Sequence, residues 1–518
     1  MRPDGTAEFD PRLKMTEEFV DALVTAERWP LEGWAILGGF FVDTLHRMSD
    51  SSRGLRGATS RLGLFVTRTI GRWIPDPFVL AIGLTLLTAV LVLVIPGTFP
   101  DRDPEQSKAD LLLEAWWDGG LWKLLAFSMQ MALVLVTGYA LASSPPIRWC
   151  IDRIAGLPRS TAAAAAMVAF VAVLTGLVNW GLALVVGALL ARAVGRSLER
   201  RGIPCHYPLI AAAGYLGLLV WHGGFSGSAP LNMTRASEAS KILPAEIVAE
   251  HAADGIPLSE TLLSPMNLFV ALGLLVIAPL VCLLLAPVDS KDVRTPSDLG
   301  VSFANDRTGP TTRAGVVQIG FGLALGLALV AGFVGYLIDA DGGLSRLGLN
   351  EINATMFGLG LLLHASPTRY LAAVEDAARG AAGIIVQFPL YAGVMAMMAV
   401  SGLLAMFADA ANAASTPTTL PLLTMASAAA VNLFVPSGGG QWAVQGPIAM
   451  LAGVQDGIPL GKMVMSVAYG DQLTNMLQPF WALPLLAITG VKARDIVGYT
   501  AIVMIVAAIW ITVALLVF

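Results

Sequence analysis

The sequence predicts an all-α polytopic membrane protein, and two observations lead to that class. The 518 residues are 56% hydrophobic and only 13% charged, with a mean hydropathy of +0.70. A soluble domain carries roughly twice that charged fraction, about 25%. Uncharged runs long enough to cross about 30 Å of hydrocarbon recur along the chain. They cover residues 77–98, 124–147, 161–191, 264–288, 314–338 and 496–518.

Residues 1–70 are predicted to be a cytoplasmic N-terminal extension, because they are polar and begin without a signal-peptide core. Within them, residues 30–45 (PLEGWAILGGFFVDTL) are apolar but too short to span a membrane, which favours an interfacial helix. The three cysteines, Cys150, Cys205 and Cys282, are isolated in the sequence and are predicted to be inert packing residues.

Several classes of function are disfavoured by missing motifs. The sequence contains no GxxxxGK[ST], GxSxG or HExxH motif and no dinucleotide-binding fingerprint after a strand. It also has no segment long enough for a soluble nucleotide-binding domain. Secondary transporter, channel and intramembrane enzyme remain. We expect no cofactor and no nucleic-acid partner, and we expect contacts with membrane lipid and with a small substrate.

The first uncharged stretch of interest, residues 161–191, has an awkward length. Its 31 residues would form a helix of about 46 Å at about 1.5 Å per residue, too long for one span and too short for two. Asn179, Trp180 and Gly181 are the polar break near its middle. We therefore predict a re-entrant helical hairpin over residues 160–200, with its tip buried in protein or lining a cavity.

The second stretch, residues 410–455, also lacks charge and contains VNLFVPSGGGQWAVQGPIAM at residues 431–450. Three consecutive glycines make a poor continuous helix, so a second hairpin is predicted over residues 420–456. A helix that starts inside the membrane directs backbone N–H groups at an anion, and glycines let that anion approach closely. The predicted substrate-binding residues of the two tips are Ser437, Gly438, Gly439, Gly440, Gln441, Trp442, Gln445, Asn179, Trp180 and Gly181.

The substrate expected from these tips is a singly charged anion, because neither hairpin interior contains Lys or Arg. A carboxylate there would be held by dipoles and hydrogen bonds alone. Simple hairpin packing by the glycines, loop capping by the asparagines and plain packing by the tryptophans remain the alternatives.

Two halves of the chain follow the same pattern. Gln130, Asn179 and Tyr215 are separated by 49 and 36 residues, and Gln387, Asn432 and Tyr469 by 45 and 37. We predict a first repeat half over residues 71–290, a cytoplasmic linker over 291–313 and a second half over 314–518. Residues 232–263 carry several acids and are expected to be a solvated loop.

The distribution of cations gives the predicted orientation. With a cytoplasmic N-terminus, 25 of the 32 Lys and Arg residues fall on cytoplasmic segments, as the positive-inside rule requires. The two hairpins then enter from opposite faces of the membrane. This is an inverted repeat of the kind used for alternating access.

One charge lies inside a predicted span. Asp471, in AYGDQLTNMLQP, falls near the middle of residues 459–488, and intramembrane carboxylates usually mark ion or proton pathways. His222 lies at the position of the first half that corresponds to Asn475, and an ordinary histidine pKa of about 6.5 suits a proton site. A buried carboxylate satisfied by backbone donors and a satisfied histidine are the structural alternatives.

At this point the residues resemble a known family. VNLFVPSGGGQWAVQGPI followed by AYGDQLTNMLQPFW is similar to short-chain fatty acid transporters of the AtoE type, which belong to a superfamily of elevator-type carriers. The resemblance covers residues 68–518. It implies uptake of butyrate, acetoacetate or related monocarboxylates across the bacterial inner membrane. It also implies a homodimer in which a static scaffold holds a moving transport domain.

The resemblance also implies roles in ion coupling. Tip asparagines of relatives help to form cation sites, which makes Asn179, Asn432 and Asp471 candidate Na⁺ ligands, with Asn475 and His222 as further coupling residues. The relatives often have Ser-Asn-Thr at these tips, whereas this chain has Val-Asn-Trp and Val-Asn-Leu. Either H⁺ or Na⁺ is therefore expected as the coupling ion.

Three alternatives remain at this stage. One is a cation/proton antiporter of the same superfamily, although Asp471 is almost the only mid-membrane acid. Another is a carrier of a different small organic anion. An intramembrane enzyme built on Ser437 and His222 would require the two halves to bring these residues together, and we expect no enzyme.

Overall fold

The structure, a computed structural model, consists of helices and connecting turns, and no strand occurs among the residues that it describes. It describes residues 53–518 apart from 74, 101, 119, 243–244, 304–315, 339–348 and 436. The predicted interfacial helix at residues 30–45 lies outside the described residues. The α-helices are α1 (Arg53–Trp73), α2 (Pro77–Val94), α3 (Lys108–Trp117), α4 (Leu125–Ser143), α5 (Pro145–Ala155), α6 (Thr161–Val178), α7 (Trp180–Arg200), α8 (Tyr207–Tyr215), α9 (Ser228–Asn232), α10 (Ala236–Ile242), α11 (Ala245–His251), α12 (Pro265–Leu285), α13 (Val316–Ile338), α14 (Leu349–His364), α15 (Pro367–Ala378), α16 (Ala382–Val400), α17 (Leu403–Ala413), α18 (Leu420–Asn432), α19 (Gly438–Gln455), α20 (Leu460–Thr474), α21 (Leu483–Thr489) and α22 (Ala493–Val517).

The prediction of a polytopic helical membrane protein is confirmed. Eight helical stretches of the described chain are long and apolar enough to cross a bilayer. Several of these helices expose large apolar side chains, such as Leu86 and Val94 on α2 and Ile505 and Ile509 on α22. Such surfaces suit a hydrocarbon solvent, in which the helical backbone satisfies its own hydrogen bonds.

The first hairpin consists of α6 and α7, which pack against each other and are joined by Asn179 alone. Asn179 has an extended backbone, with φ −160° and ψ 133°, and its Oδ1 accepts hydrogen bonds from the N–H groups of Gly181 and Leu182 at 2.8 and 3.2 Å. Gly187 then lets α7 touch α8, since a Cβ on it would lie 2.0 Å from the carbonyl oxygen of Gly214.

The second hairpin consists of α18 and α19, and its tip is longer, at residues 433–437. Two glutamines on α19 join its arms. Gln441 Nε2 donates to the carbonyl oxygen of Ala428 at 2.8 Å, and Gln445 Nε2 donates to Ser427 Oγ at 3.2 Å. The first contact is buried and the second is partly buried, and together they fix the spacing of the two arms.

A broken helix follows each hairpin. The first one runs through α8, the 3₁₀ turns Leu216–Leu219 and Trp221–Gly223, and α9, while the second runs through α20 and the 3₁₀ turn Asn475–Leu477. The apolar stretch Tyr207–Asn232 and the predicted span at residues 459–488 are therefore discontinuous. The Tyr215 hydroxyl donates to the carbonyl oxygens of Asn475 and Gln478 at 2.8 and 3.0 Å, so the two breaks lie side by side.

The same element order occurs in both halves of the chain. A long helix, α4 or α16, precedes an 11-residue helix, α5 or α17, before each hairpin. A long helix, α12 or α22, follows each broken helix. The helices α16 and α17 are separated at Gly402, whose positive φ of 76° lets the chain turn.

Two predicted segments have different boundaries in the structure. The extension predicted over residues 1–70 ends earlier, because α1 packs on the membrane part: Thr59 Oγ1 donates to the carbonyl oxygen of Leu284 at 2.9 Å. Residues 55–518 form one compact unit. The solvated loop predicted at residues 232–263 carries helices instead, and its Val248, Ala252 and Ile256 are buried in a cluster with Trp442 of the second hairpin.

Candidate substrate site

The first hairpin, the second hairpin and both broken helices meet around a cavity of about 170 Å³. Its position explains why two apolar helices are interrupted at membrane depth, since irregular backbone is tolerated where it lines a cavity. The residues around it are Phe127, Trp180, Leu218, Trp221, Ser228, Ser437, Gly438, Gly439, Asn475 and Trp481.

Aromatic rings form one wall of this cavity. The ring of Trp180, at the first tip, lies 5.2 Å from that of Trp481 and 6.4 Å from that of Trp221, centroid to centroid. Phe127 of α4 lies 6.3 Å from Trp180 and 6.1 Å from Trp481. Rings at these distances and tilted angles pack favourably, and they offer an apolar surface to a bound molecule.

The start of α19 forms the polar part of the cavity. Ser437 caps this helix, with its Oγ accepting from Gly440 N–H and its carbonyl oxygen accepting from Gln441 N–H. The N–H groups of Gly438 and Gly439 donate to no described acceptor. Free N–H groups at the positive end of a helix are suited to an anion.

The two glycines at that helix start are not equivalent. A Cβ on Gly438 would lie 2.7 Å from Asp471 Oδ2 and 2.9 Å from His222 Cε1, so only glycine fits there. A Cβ on Gly439 would meet nothing closer than Ser228, at 3.9 Å. Gly438 therefore packs directly against the side chains of Asp471 and His222, whereas Gly439 leaves space for a ligand.

Asp471 and His222 form a fully buried pair directly behind Gly438. The carboxylate Oδ2 and the ring Nδ1 lie 2.8 Å apart, although neither has a hydrogen bond of regular geometry. His222 Nε2 accepts the backbone N–H of Ala229 at 3.0 Å. We infer from this bond that the neutral ring carries its proton on Nδ1, facing Asp471.

Asn432 links the second tip to the second broken helix. Its Nδ2 lies within hydrogen-bond distance of the carbonyl oxygen of Asp471 at 2.6 Å, Thr474 Oγ1 at 3.0 Å and Asn475 Oδ1 at 2.9 Å. Its own Oδ1 is buried without a partner, and so is Gln478 Oε1. Gln478 Nε2 donates to the carbonyl oxygen of Asn432, so the two unpaired oxygens belong to residues in direct contact, which is an unusual feature of a buried site.

The structure places the predicted residues in three groups. Trp180, Ser437, Gly438, Gly439 and Asn475 line the cavity, and Asp471, His222 and Asn432 lie directly behind it. The rest lie within the hairpins, where Asn179 and Gly181 form a helix cap, Gln441 and Gln445 join two arms, Gly440 packs near Met395 and Trp442 is buried in a hydrophobic cluster.

The two tip asparagines do not occupy equivalent positions. Asn179 is the N-cap of α7, whereas Asn432 is the last residue of α18, and the N-cap of α19 is Ser437. The first tip has one residue between its helices and the second has five, so a matched position in the sequence gives a different position in the hairpin. The side-chain oxygen of Asn179 is already engaged in capping.

Sequence reasoning missed five residues of the cavity, which are Phe127, Leu218, Trp221, Ser228 and Trp481. A signal was present for three of them, since Trp221 and Ser228 belong to WHGGFSGSAP and Trp481 ends QPFW, both at the polar breaks of predicted spans. Phe127 lies in the apolar segment of α4, and its sequence neighbourhood carries no such mark.

This arrangement defines the class of the protein: a polytopic helical membrane protein with a half-open cavity at the meeting point of two hairpins and two broken helices. The chain belongs to the short chain fatty acid transporter family, whose model matches residues 58–518. It is accordingly a transporter rather than an enzyme.

Two relatives support this assignment. A relative of Escherichia coli (strain K12) that carries the short-chain fatty acid transporter name is 38% identical over 449 residues, 85% of this chain and 95% of its own length. A relative of Haemophilus influenzae with the same name is 35% identical over 444 residues, with the same coverages. The Alcanivorax borkumensis YdaH transporter (17% identity, TM-score 0.40, 85% of this chain and 98% of its own) and Neisseria gonorrhoeae MtrF (18%, 0.36, 88% and 96%) are similar solved structures.

Proposed function

We propose that this protein is a secondary active carrier of short-chain monocarboxylates such as butyrate and acetoacetate. The observation that carries the proposal is the cavity of about 170 Å³ between three tryptophans and the start of α19. An engineered apolar cavity of about 150 Å³ holds benzene, so this one suits a molecule of about six or seven non-hydrogen atoms. Butyrate and acetoacetate are of that size.

The geometry supports one orientation of the substrate. Its carboxylate would accept hydrogen bonds from the N–H groups of Gly438 and Gly439. Ser228 and Asn475 would be its neutral neighbours. Its carbon chain would lie against Trp180 and Trp481. No Lys or Arg lines the cavity among the described residues, which favours a monocarboxylate over a dicarboxylate. Selectivity between chain lengths should be modest, about 1–3 kcal/mol per methylene.

The proposed coupling ion is a proton, carried by the pair of Asp471 and His222. Because His222 Nε2 accepts a backbone N–H and Nδ1 already holds a proton, an added proton goes to Asp471. A substrate anion at Gly438 would face this carboxylate across a single glycine. Two carboxylates in one buried site repel each other unless a proton or a cation accompanies them, so we expect the substrate anion to bind together with a proton. Binding of the two is therefore cooperative, as symport requires.

Sodium is the second candidate ion, because of the unpaired oxygens of Asn432 and Gln478. Together with Asp471 they offer the hard oxygen ligands that a small cation prefers. Asn179, whose side-chain oxygen caps α7, would then not be a ligand.

We further propose an elevator-like alternating-access mechanism, in which the two hairpins and broken helices move as a transport domain. The repeated element order supports two inverted halves, and the cation distribution supports a cytoplasmic N-terminus in a bacterial inner membrane. The proposal includes a homodimer in which a static scaffold holds the moving transport domain.

The experiment is uptake of radiolabelled acetoacetate into proteoliposomes under an imposed pH gradient or an imposed Na⁺ gradient. Acetoacetate is preferable to butyrate because protonated butyrate crosses bilayers unaided. We expect uptake that follows the pH gradient. Uptake that follows only the Na⁺ gradient would identify Na⁺ as the coupling ion and favour the site at Asn432 and Gln478. Folded protein without uptake under either gradient would contradict the carrier and favour ion exchange.

A further inference from the structure

A second and larger cavity, about 650 Å³, lies between the start of α2, the first turns of α16 and the connection from α21 to α22. We call it the crevice. Its walls are largely apolar, while two exposed cations, Lys492 and Arg494, lie along it together with the Asp76 carboxylate that caps α2. Its further lining includes Gly383, Gln387, Leu483 and Leu486.

Phe388 links the surroundings of the crevice to those of the substrate cavity. Gln387 lines the crevice, and the next residue, Phe388, packs its buried ring 5.5 Å from Phe127 and 6.4 Å from Trp481. Phe127 and Trp481 in turn line the substrate cavity. Phe388 itself lines neither cavity, but it packs on two residues of the substrate cavity and directly follows a residue of the crevice.

Gln387 provides an independent observation. This side chain is 4% exposed, and its Oε1 has no hydrogen-bond partner. An unpaired buried amide oxygen is unfavourable unless water or a ligand reaches it. Its position in the wall of the crevice therefore indicates a polar occupant at the end nearest Phe388.

We propose that the crevice is a vestibule for the monocarboxylate on the side of the membrane that carries Lys492 and Arg494, with Phe388 as its gate. This inference rests on the proposed function of the substrate cavity. The two cations concentrate an anion near the mouth, and Asp76 lowers their net charge without cancelling it. Gln387 meets the solvated anion or its water, and displacement of the Phe388 ring connects the two cavities.

The test measures access to the substrate cavity through a thiol placed in it. Leu218→Cys is made in a Cys150→Ser background, because Cys150 is exposed whereas Cys205 and Cys282 are buried. A membrane-impermeant, negatively charged methanethiosulfonate is added to the Lys492 side in oriented vesicles. Phe388→Ala should raise the labelling rate about tenfold or more, because a small decrease in the activation free energy for entry of the reagent is enough for that change. Acetoacetate should slow the labelling.

Matched controls separate the possible outcomes. Phe407→Ala removes a partly buried ring from a cluster that includes α17 and should leave the labelling rate unchanged. Phe388→Trp should slow labelling, and Phe388→Leu replaces Phe388→Ala if the latter does not fold. An unchanged rate in folded Phe388 variants overturns the gate, even if the parent protein takes up acetoacetate. Faster labelling without acetoacetate protection or uptake supports the passage and contradicts the proposed substrate.

Discussion

Asp471 shows how a single residue can carry the coupling that we propose. It is 1% exposed, it contacts His222, and only Gly438 stands between it and the cavity. A carboxylate so placed remains favourable only when a proton, a cation or a histidine accompanies it. The sequence identified this residue because a charge in the middle of a span is rare.

Replacing Asp471 by Asn should abolish uptake driven by an ion gradient. The amide has a similar shape but can neither bind a proton at ordinary pH nor attract a cation. We expect a loss of about 100-fold or more, as is usual for a proton-transfer residue, with the thermal unfolding midpoint nearly retained. Asp456→Asn, at the exposed end of α19, is the matched control and should transport normally. Full uptake by the Asp471 variant would remove this carboxylate from the mechanism.

Gly439 is the position where added volume should weaken substrate binding directly. A Cβ added at this position would project into the open space of the cavity and would clash with no other residue. We expect Gly439→Val to raise the Kd for acetoacetate about tenfold, the equivalent of about 1.4 kcal/mol. Isothermal titration in detergent would measure it, with Gly83→Ala, on α2 with nothing within 4 Å, as the control. An unchanged Kd would show that the ligand lies elsewhere.

At the scale of elements, the sequence predicted both hairpins from length and charge, but not which tip residues face the cavity. Gln441 and Gln445 look like ligand donors in the sequence, yet they join the two arms by hydrogen bonds to residues 13 and 18 positions earlier in the chain. Trp442 looks like a cavity wall, and it packs instead on the segment at residues 232–263, which the sequence suggested was solvated. These outcomes depend on contacts between segments that are separated in the sequence, and local sequence patterns do not predict such contacts.

The two helix caps of the hairpin tips should respond differently to mutation. Asn179→Ala removes an acceptor for two N–H groups and should cost about 1 kcal/mol of stability, with little change in affinity, because Asn179 does not line the cavity. Ser437→Ala removes an equivalent cap and also changes the cavity wall, so both quantities should fall. Thermal unfolding and acetoacetate binding on the same samples distinguish them. Equal affinity losses in the two variants would argue against this division of roles.

At the scale of the whole molecule, composition alone predicted the fold class, and the predicted repeat remains a prediction, although the same order of elements occurs in both halves. The side-chain contacts that hold separate segments together could not be predicted from the sequence. One example is His206, just before α8, which joins three parts of the chain. Its Nδ1 accepts the backbone N–H of Arg294 at 3.0 Å, and its Nε2 lies 2.8 Å from the hydroxyl of Tyr499 on α22. A single histidine in an apolar sequence gave no sign of these partners.

His206 should make the stability of the whole protein depend on pH. Burial, followed by the charge of Arg294, lowers its pKa from 6.5 to about 3. The unfolded chain therefore binds a proton between these values while the folded protein does not, and stability is lost as pH falls below about 6.5. Each pH unit below that value should cost about 1.4 kcal/mol from this residue alone. Above it, the same residue should contribute no slope.

Thermal unfolding in detergent, followed from about pH 7.5 to about pH 5, measures this effect, since the unfolded histidine titrates near 6.5. We expect the midpoint of the parent protein to fall with pH, and His206→Gln to start lower but to lose less over the same range. The glutamine amide can still donate towards Tyr499, and it has no proton to gain. Parallel slopes in the two proteins would assign the acid sensitivity to other groups, since removal of the buried imidazole would then have left proton uptake on unfolding unchanged.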